Sequence, residues 1–166
     1  MPVFVAIDPG ITGAVAILRG GEAAVYDTPT TATNGTGKRE YLAASMRDLL
    51  ALVPAHEAHV VIEEPQVYTG RKVKDGGEKS GASAGSALKQ GRGVGLWEGI
   101  VVGLGLSYEF VHPNTWTRQM NVTREKGARR VAAARLFPAL AQQLARVKDD
   151  GRADALLMAE WRRRQG

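Results

Sequence analysis

The stretch FVAIDPGITGAVAIL, residues 4–18, decides how the rest of the chain is read. Residues 3–8 (VFVAID) are a continuous apolar run closed by Asp8, the pattern of a buried strand. PGITG then turns the chain, and Ala14–Leu18 gives a second short strand. A carboxylate at the tip of a buried strand has two readings. It can cap the turn and do nothing more, or it can be a charge held there for chemistry.

Working outward, RGGE at residues 19–22 is another tight turn, since paired glycines accept positive φ, and Ala23–Asp27 makes a third strand. The opening is therefore an antiparallel three-stranded meander. Residues 29–37, rich in Thr and Gly, read as loop. From Arg39 to Val53, Leu42, Met46, Leu49, Leu50 and Val53 fall on one helical face. His59–Ile62 is a fourth strand, again closed by acid at Glu63 and Glu64. Residues 66–93 are basic and Gly/Ser-rich and read as an irregular loop leading into a helix over Val94–Gly105. Gly95, Gly99 and Gly103 form a smooth strip on that helix, suited to packing on the sheet or to a dimer seam. Tyr108–Val111 is a fifth strand, followed by the loop HPNTWTRQM. Glu125–Phe137 and Leu140–Val147 are helical, separated by Pro138, and Arg152–Arg164 is a last helix. The order is βββαβαβα plus helices, without an internal repeat, in one domain over residues 1–166.

A chain of 166 residues is long enough to bury a core without covalent staples. It has no cysteine, so disulfides and thiolate metal sites are excluded. Any metal must be held by oxygen or imidazole, which favours magnesium or manganese over structural zinc. His56, His59 and His112 show no ligand spacing and read as structural. The N-terminus lacks a secretory signature, and no apolar run reaches the roughly 18 residues of a membrane helix, so a cytoplasmic protein is expected. The net charge of +5 suits a polyanionic partner. Its placement is more telling than its size. Arg71, Lys72, Lys74, Lys79, Lys89 and Arg92 crowd one segment, and Arg118, Arg124, Lys126, Arg129 and Arg130 form a second group. Arg162 to Arg164 form a third. Together they point to nucleic acid.

Three places share one property, a carboxylate where a buried element meets solvent. Asp8 ends the first strand, Glu63 ends the fourth, and Asp150 and Asp154 lie in DDGRADALLMAEW. Positions i and i+4 share a helix face, so Asp150 and Asp154 point one way if the helix has begun by Asp150. Each also has a structural reading: Asp8 as a turn cap, Glu64 as a solvated charge, Asp149 or Asp150 as a helix N-cap. Asp154 is harder to assign so, because it sits among apolar residues and an unpaired buried charge is costly. Acids converging in one place repel unless a divalent cation neutralises them.

AIDPGITGAVAI, VVIEEP and DGRADALLMAEW, in that order, resemble the RuvC family of Holliday-junction resolvases. GRGVG before the helix at 94 and HPNTW after the fifth strand extend the resemblance over essentially the whole chain. It implies an α/β ribonuclease-H-like fold, a five-stranded mixed sheet with three antiparallel and two parallel strands, flanked by helices. It further implies a homodimer that hydrolyses DNA phosphodiesters at four-way junctions with two Mg²⁺ ions per active site, Mn²⁺ substituting, and without a small-molecule cofactor. Two such ions stand about 4 Å apart, one activating water and the other stabilising the leaving oxygen. By position, Asp8, Glu63 and Asp154 match the family's acids, with Asp8 as the natural bridging ligand. The family usually places its remaining ligand three residues before the last, where this chain has Gly151; Asp150 is the nearest acid. The segment after Glu63 would grip the junction, with Arg71, Lys72, Lys74, Lys79, Lys89 and Arg92 on phosphates and Tyr68 stacking on or wedging beside bases. Arg118 and Arg124 would add further backbone contacts.

Other readings remain at this point. IDPGITGAVAI also resembles the first phosphate loop of actin-like ATPases and sugar kinases, but that fold needs two such domains, more than 166 residues hold. A Walker loop fails at TATNGTGKRE, where Lys38 is followed by Arg39 and the leading glycine is replaced by Ala32. A junction-binding module that does not cut is disfavoured by the full set of acids. The same chemistry on RNA, RNA–DNA hybrids or flaps stays open, because the metal site sets the reaction and not the shape of the duplex.

Overall fold

The computed structural model describes residues 1–32, 39–66, 84–123 and 125–166. β1 (Val3–Ile7), β2 (Ala14–Arg19) and β3 (Glu22–Asp27) form the expected antiparallel meander. β6 (Ala58–Glu63) pairs parallel to β1, and β7 (Tyr108–Val111) pairs parallel to β6. The five-stranded sheet runs β3-β2-β1-β6-β7, which puts β1 at its centre with a neighbour on both sides. Val5 stands opposite Ile17 on one neighbour and Val60 on the other. β4 (Thr30–Ala32) and β5 (Arg39–Tyr41) form a separate antiparallel pair.

Helices cover both faces, and the period of two along β1 divides the core between them. Val3, Val5 and Ile7 pack with Met46, Leu50, Trp97 and Val101 from α1 (Ala43–Ala51) and α2 (Ala84–Gly103). Phe4 and Ala6 pack with residues of α3 (Pro113–Gln119), α4 (Lys126–Leu136) and α5 (Asp150–Arg164). The two layers differ in side-chain size. On the α5 side the sheet presents Ala6, Ala14 and Ala16, which let the helix lie close across β1, β2 and β3. Leu156, Leu157 and Met158 are fully buried there. Each such side chain contributes about 1.5–3 kcal/mol by leaving water.

Several element boundaries differ from the sequence expectation. Residues 30–32 and 39–41 are strands, so α1 begins at Ala43 and not at Arg39. α2 begins at Ala84, so Lys89 and Arg92 sit on a helix and not in the loop assigned to residues 66–93. Glycine-rich sequence hides this helix, because glycine is the weakest helix former after proline. HPNTWTRQM holds α3, started by Pro113 and by His112, whose Nδ1 accepts the Asn114 N–H at 3.1 Å. The segment after Pro138 is a 3-10 turn over Pro138–Leu144. Gly95, Gly99 and Gly103 do not pack on the sheet: a Cβ added at any of them would meet nothing within 4 Å among the described residues. No helix among the described residues is long and apolar enough to cross a membrane.

Candidate functional site

Asp8 follows the last residue of the central strand, and the local sequence fixes it. Its Oδ1 accepts the Gly10 N–H at 3.2 Å, and its own N–H donates to the Ala14 carbonyl at 2.9 Å. The turn-cap reading therefore holds for one carboxylate oxygen. Above the turn, Tyr41 donates its hydroxyl to the Pro9 carbonyl at 3.3 Å. Burial, and next the Asp8 charge, push that phenol up, while Arg92 pulls it down. α2 comes so close here that a Cβ at Gly93 would collide with the Pro9 carbonyl and the Tyr41 ring.

Glu63 ends β6, the strand beside β1, so the sheet sets the two acids side by side. Its Oε1 accepts the Trp116 indole N–H at 2.8 Å. Trp116 is fully buried, which makes α3 a rigid prop for this carboxylate. Burial first, and the Asp8 charge second, push Glu63 up to about 7; Asp154 adds to this, while the indole and Arg129 oppose it. Glu63 thus feels both other acids.

α5 begins at Asp150, so Asp150 and Asp154 occupy one helix face as the spacing requires. Both line a cavity of about 710 Å³ together with Asp8. Asp149 lines the same cavity, but its carboxylate is engaged locally: it accepts the Arg146 backbone N–H at 2.9 Å and its guanidinium at 3.0 Å, closing a 3-10 turn. Gly151 explains the shifted ligand spacing. A Cβ there would stand 2.6 Å from the Thr12 carbonyl oxygen and 3.0 Å from the Gly13 Cα. A side chain at position 151 has no room while α5 lies against this turn, and the neighbouring Asp150 lines the cavity.

Two arginines of α4 complete the cluster. Arg129 Nη1 pairs with Asp154 Oδ2 at 2.8 Å, and its guanidinium carbon lies 5.9 Å from the Trp116 ring centre. Arg130 pairs with Asp150. Both side chains are largely buried, so these are not the screened ion pairs of an open surface. Their basic cluster had suggested DNA contact; here these two face acids. An arginine in a basic run reads the same from sequence whether it meets a phosphate or a carboxylate.

The donor set fits a hard divalent cation in kind, being oxygen only, with Glu63 raised first by burial and then by the Asp8 charge. Asp8, Glu63, Asp150 and Asp154 are the residues that would hold it. In the arrangement described, no group of three His, Asp or Glu among the described residues stands close enough together to bind an ion.

Of the expected DNA contacts, Lys89 and Arg92 lie exposed on α2, and Arg118 lies exposed on α3. Tyr68, Arg71, Lys72, Lys74, Lys79 and Arg124 fall outside the described residues. Sequence reasoning missed Arg39 and Lys148, which line the same cavity from β5 and from the turn before α5. It also missed Trp116 as the partner of Glu63; only HPNTW, quoted as a motif, hinted at it. Two of the histidines have structural roles: His59 stacks on Phe4 with ring centres 5.4 Å apart, and His112 caps α3, while His56 is exposed.

No family model matches the sequence, and no curated protein matches it. Solved structures do match in fold. One is Thermus thermophilus RuvC in complex with a Holliday junction substrate, at 16% identity and a TM-score of 0.62, covering 100% of this chain and 97% of that one. Another is a T. thermophilus RuvC structure at 18% identity and a TM-score of 0.57, covering 98% and 96%. From end to end, then, this chain has the RuvC-like, ribonuclease-H-like fold that its sheet order and its sequence motifs had indicated.

Proposed function

We propose that this protein is a metal-dependent endonuclease that cleaves four-way branched DNA, acting as a homodimer. The observation that carries the reading is the convergence of Asp8, Asp150 and Asp154 on one cavity, with Glu63 electrostatically coupled to Asp8 and Asp154. The reading is supported by a fold that matches RuvC, one example of which was solved with a Holliday junction substrate. Like charges gathered in a partly buried place cost stability and need a use.

Divalent ions bound by such acids would polarise a phosphodiester, supply a nucleophilic water and stabilise the leaving oxygen. The chain's own residues perform the rest. Asp8 is fixed by the Gly10 N–H, and Glu63 by the Trp116 indole, so both present a carboxylate oxygen in a set orientation. Arg39 and Lys148 line the cavity with positive charge, suited to the phosphates flanking the one that reacts. Lys89, Arg92 and Arg118 extend that charge along α2 and α3. For the dimer, the support is the glycine strip of α2, which no described residue covers and where a second backbone can approach.

The test incubates the protein with four-way, flap, RNA–DNA hybrid and linear duplex substrates in Mg²⁺ or Mn²⁺ and maps every nick. Paired symmetric nicks near the branch are expected. Cleavage confined to hybrids or flaps would reassign the substrate, and no cleavage of any substrate would overturn the enzyme reading.

A further inference from the structure

The acid cluster is met by two arginines that come from one short segment. Arg129 and Arg130 are consecutive on α4, while Asp150 and Asp154 are one turn apart on α5, and the pairs form in parallel, Arg130 to Asp150 and Arg129 to Asp154. Arg129 also lies over the Trp116 ring, whose indole holds Glu63. One guanidinium is therefore in contact with two of the residues that shape the site. The oxygens these arginines occupy belong to the same carboxylates a divalent ion would take. Arg129 uses Asp154 Oδ2, and the hydrogen bond is of ordinary charge-assisted length at 2.8 Å. A guanidinium and a metal ion cannot both sit within bonding distance of one carboxylate oxygen along the same direction.

We infer that Arg129 and Arg130 are exchangeable counter-ions of the metal site: a divalent ion and the α4 arginines compete for Asp150 and Asp154, and loading the site draws the arginines off α5. The inference rests on the metal-site reading above. It accounts for two otherwise unconnected facts. Asp8, Asp150 and Asp154 line one cavity, and the last two each meet a cation of the chain there. Yet no three of the described acids stand at metal-binding spacing, because the arginines hold two of them toward α4. It also gives α4 a part in catalysis that its sequence does not advertise. Loading the site would be coupled to a change at a helix that carries no metal ligand.

The experiment titrates Mn²⁺ into the full chain by calorimetry, at one ionic strength, for the wild type and for D8N, R129Q, R130Q and R135Q. Arg135 is exposed on the same helix and serves as the control for loss of charge without loss of contact. Wild type is expected to bind Mn²⁺ and D8N to bind it much more weakly. R129Q and R130Q should each bind roughly tenfold more tightly, the scale of one partly buried ion pair, and R135Q within about twofold of wild type. In parallel, the Arg129 Nε–H resonance of wild type should move on saturation with Mg²⁺. Unchanged affinity in R129Q and R130Q, an equal gain in R135Q, or an unmoved Arg129 resonance would overturn the exchange. If wild type and D8N bind Mn²⁺ alike, or neither binds, the metal-site reading itself fails. Should R129Q not fold, R130Q and the resonance decide the matter.

Discussion

Asp8 does two things with one side chain. One oxygen accepts the Gly10 N–H and holds the turn; the carboxylate as a whole lines the cavity. Asparagine keeps the accepting oxygen and loses the charge, so D8N separates the two roles. It should retain the wild-type melting temperature within a few degrees and lose cleavage by at least about a hundredfold, read as nicked product per unit time. Glu63 makes a different prediction. In the folded protein it holds its proton up to about 7, against an ordinary value of 4.5. Between those values the folded state binds more protons than the unfolded chain. Its contribution to stability is full below about pH 4.5 and is lost as the pH rises through 7. Chemical denaturation in the presence of chelator should show this decline, at most about 3 kcal/mol, and E63Q should flatten it. At this scale the sequence was informative about acids and silent about their partners. Asp8, Glu63 and Asp154 stand out because charge interrupts apolar runs. Arg129 and Trp116 do not, since nothing local says which carboxylate a long side chain will reach.

At the scale of elements, the strands were legible and the helix starts were not. Apolar runs closed by acid identify β1 and β6 within a residue or two, because burial on both faces leaves little room for polar residues, while the edge strand β7 is marked by its aromatic and β-branched residues. α2 begins ten residues before the expected start, since its first half is held by its surroundings more than by propensity. Its tightest contact lies in that half. Gly93 presses against the turn that carries Asp8, with the Tyr41 Cζ 2.9 Å from where a Cβ would stand. G93A should therefore cost about 1–3 kcal/mol in urea unfolding, although alanine is the better helix former. A gain in stability would mean that α2 can slide away from the turn. Gly151 does for α5 what Gly93 does for α2, and both helices meet the β1–β2 turn through a missing side chain. The displaced acid at position 150 is legible only once that contact is seen.

At the scale of the whole molecule, charge is arranged by face. The acids gather at one end of the sheet, and Arg39, Lys148, Lys89, Arg92 and Arg118 are distributed over the elements around and beyond it. Two of the acids are paired with arginines within the fold, which leaves the net charge of +5 to the rest of the molecule. Binding to a four-way junction should weaken steeply with salt, and R92Q should shallow the slope of log K against log salt by about 1. Sedimentation with and without junction tests the expected dimer: a monomer in both would remove the glycine strip's role. The sequence carried the fold class through three motifs in order. It did not carry the surface between them, because exposed side chains are constrained by a partner and not by the core.

The burial of Trp116 has one more consequence. Its indole donates to Glu63, and the Arg129 guanidinium lies over its ring, so this chromophore is wired to both signs of charge in the site. The other two tryptophans are set apart from the acids, Trp97 in the core between the sheet and α2, and Trp161 bonded to Gln119. Emission that changes with ligands at the acids, and ceases to change in W116F, is therefore a signal from the site alone. The protein comes with its own optical reporter, and the kinetics of loading can be followed on the unlabelled chain.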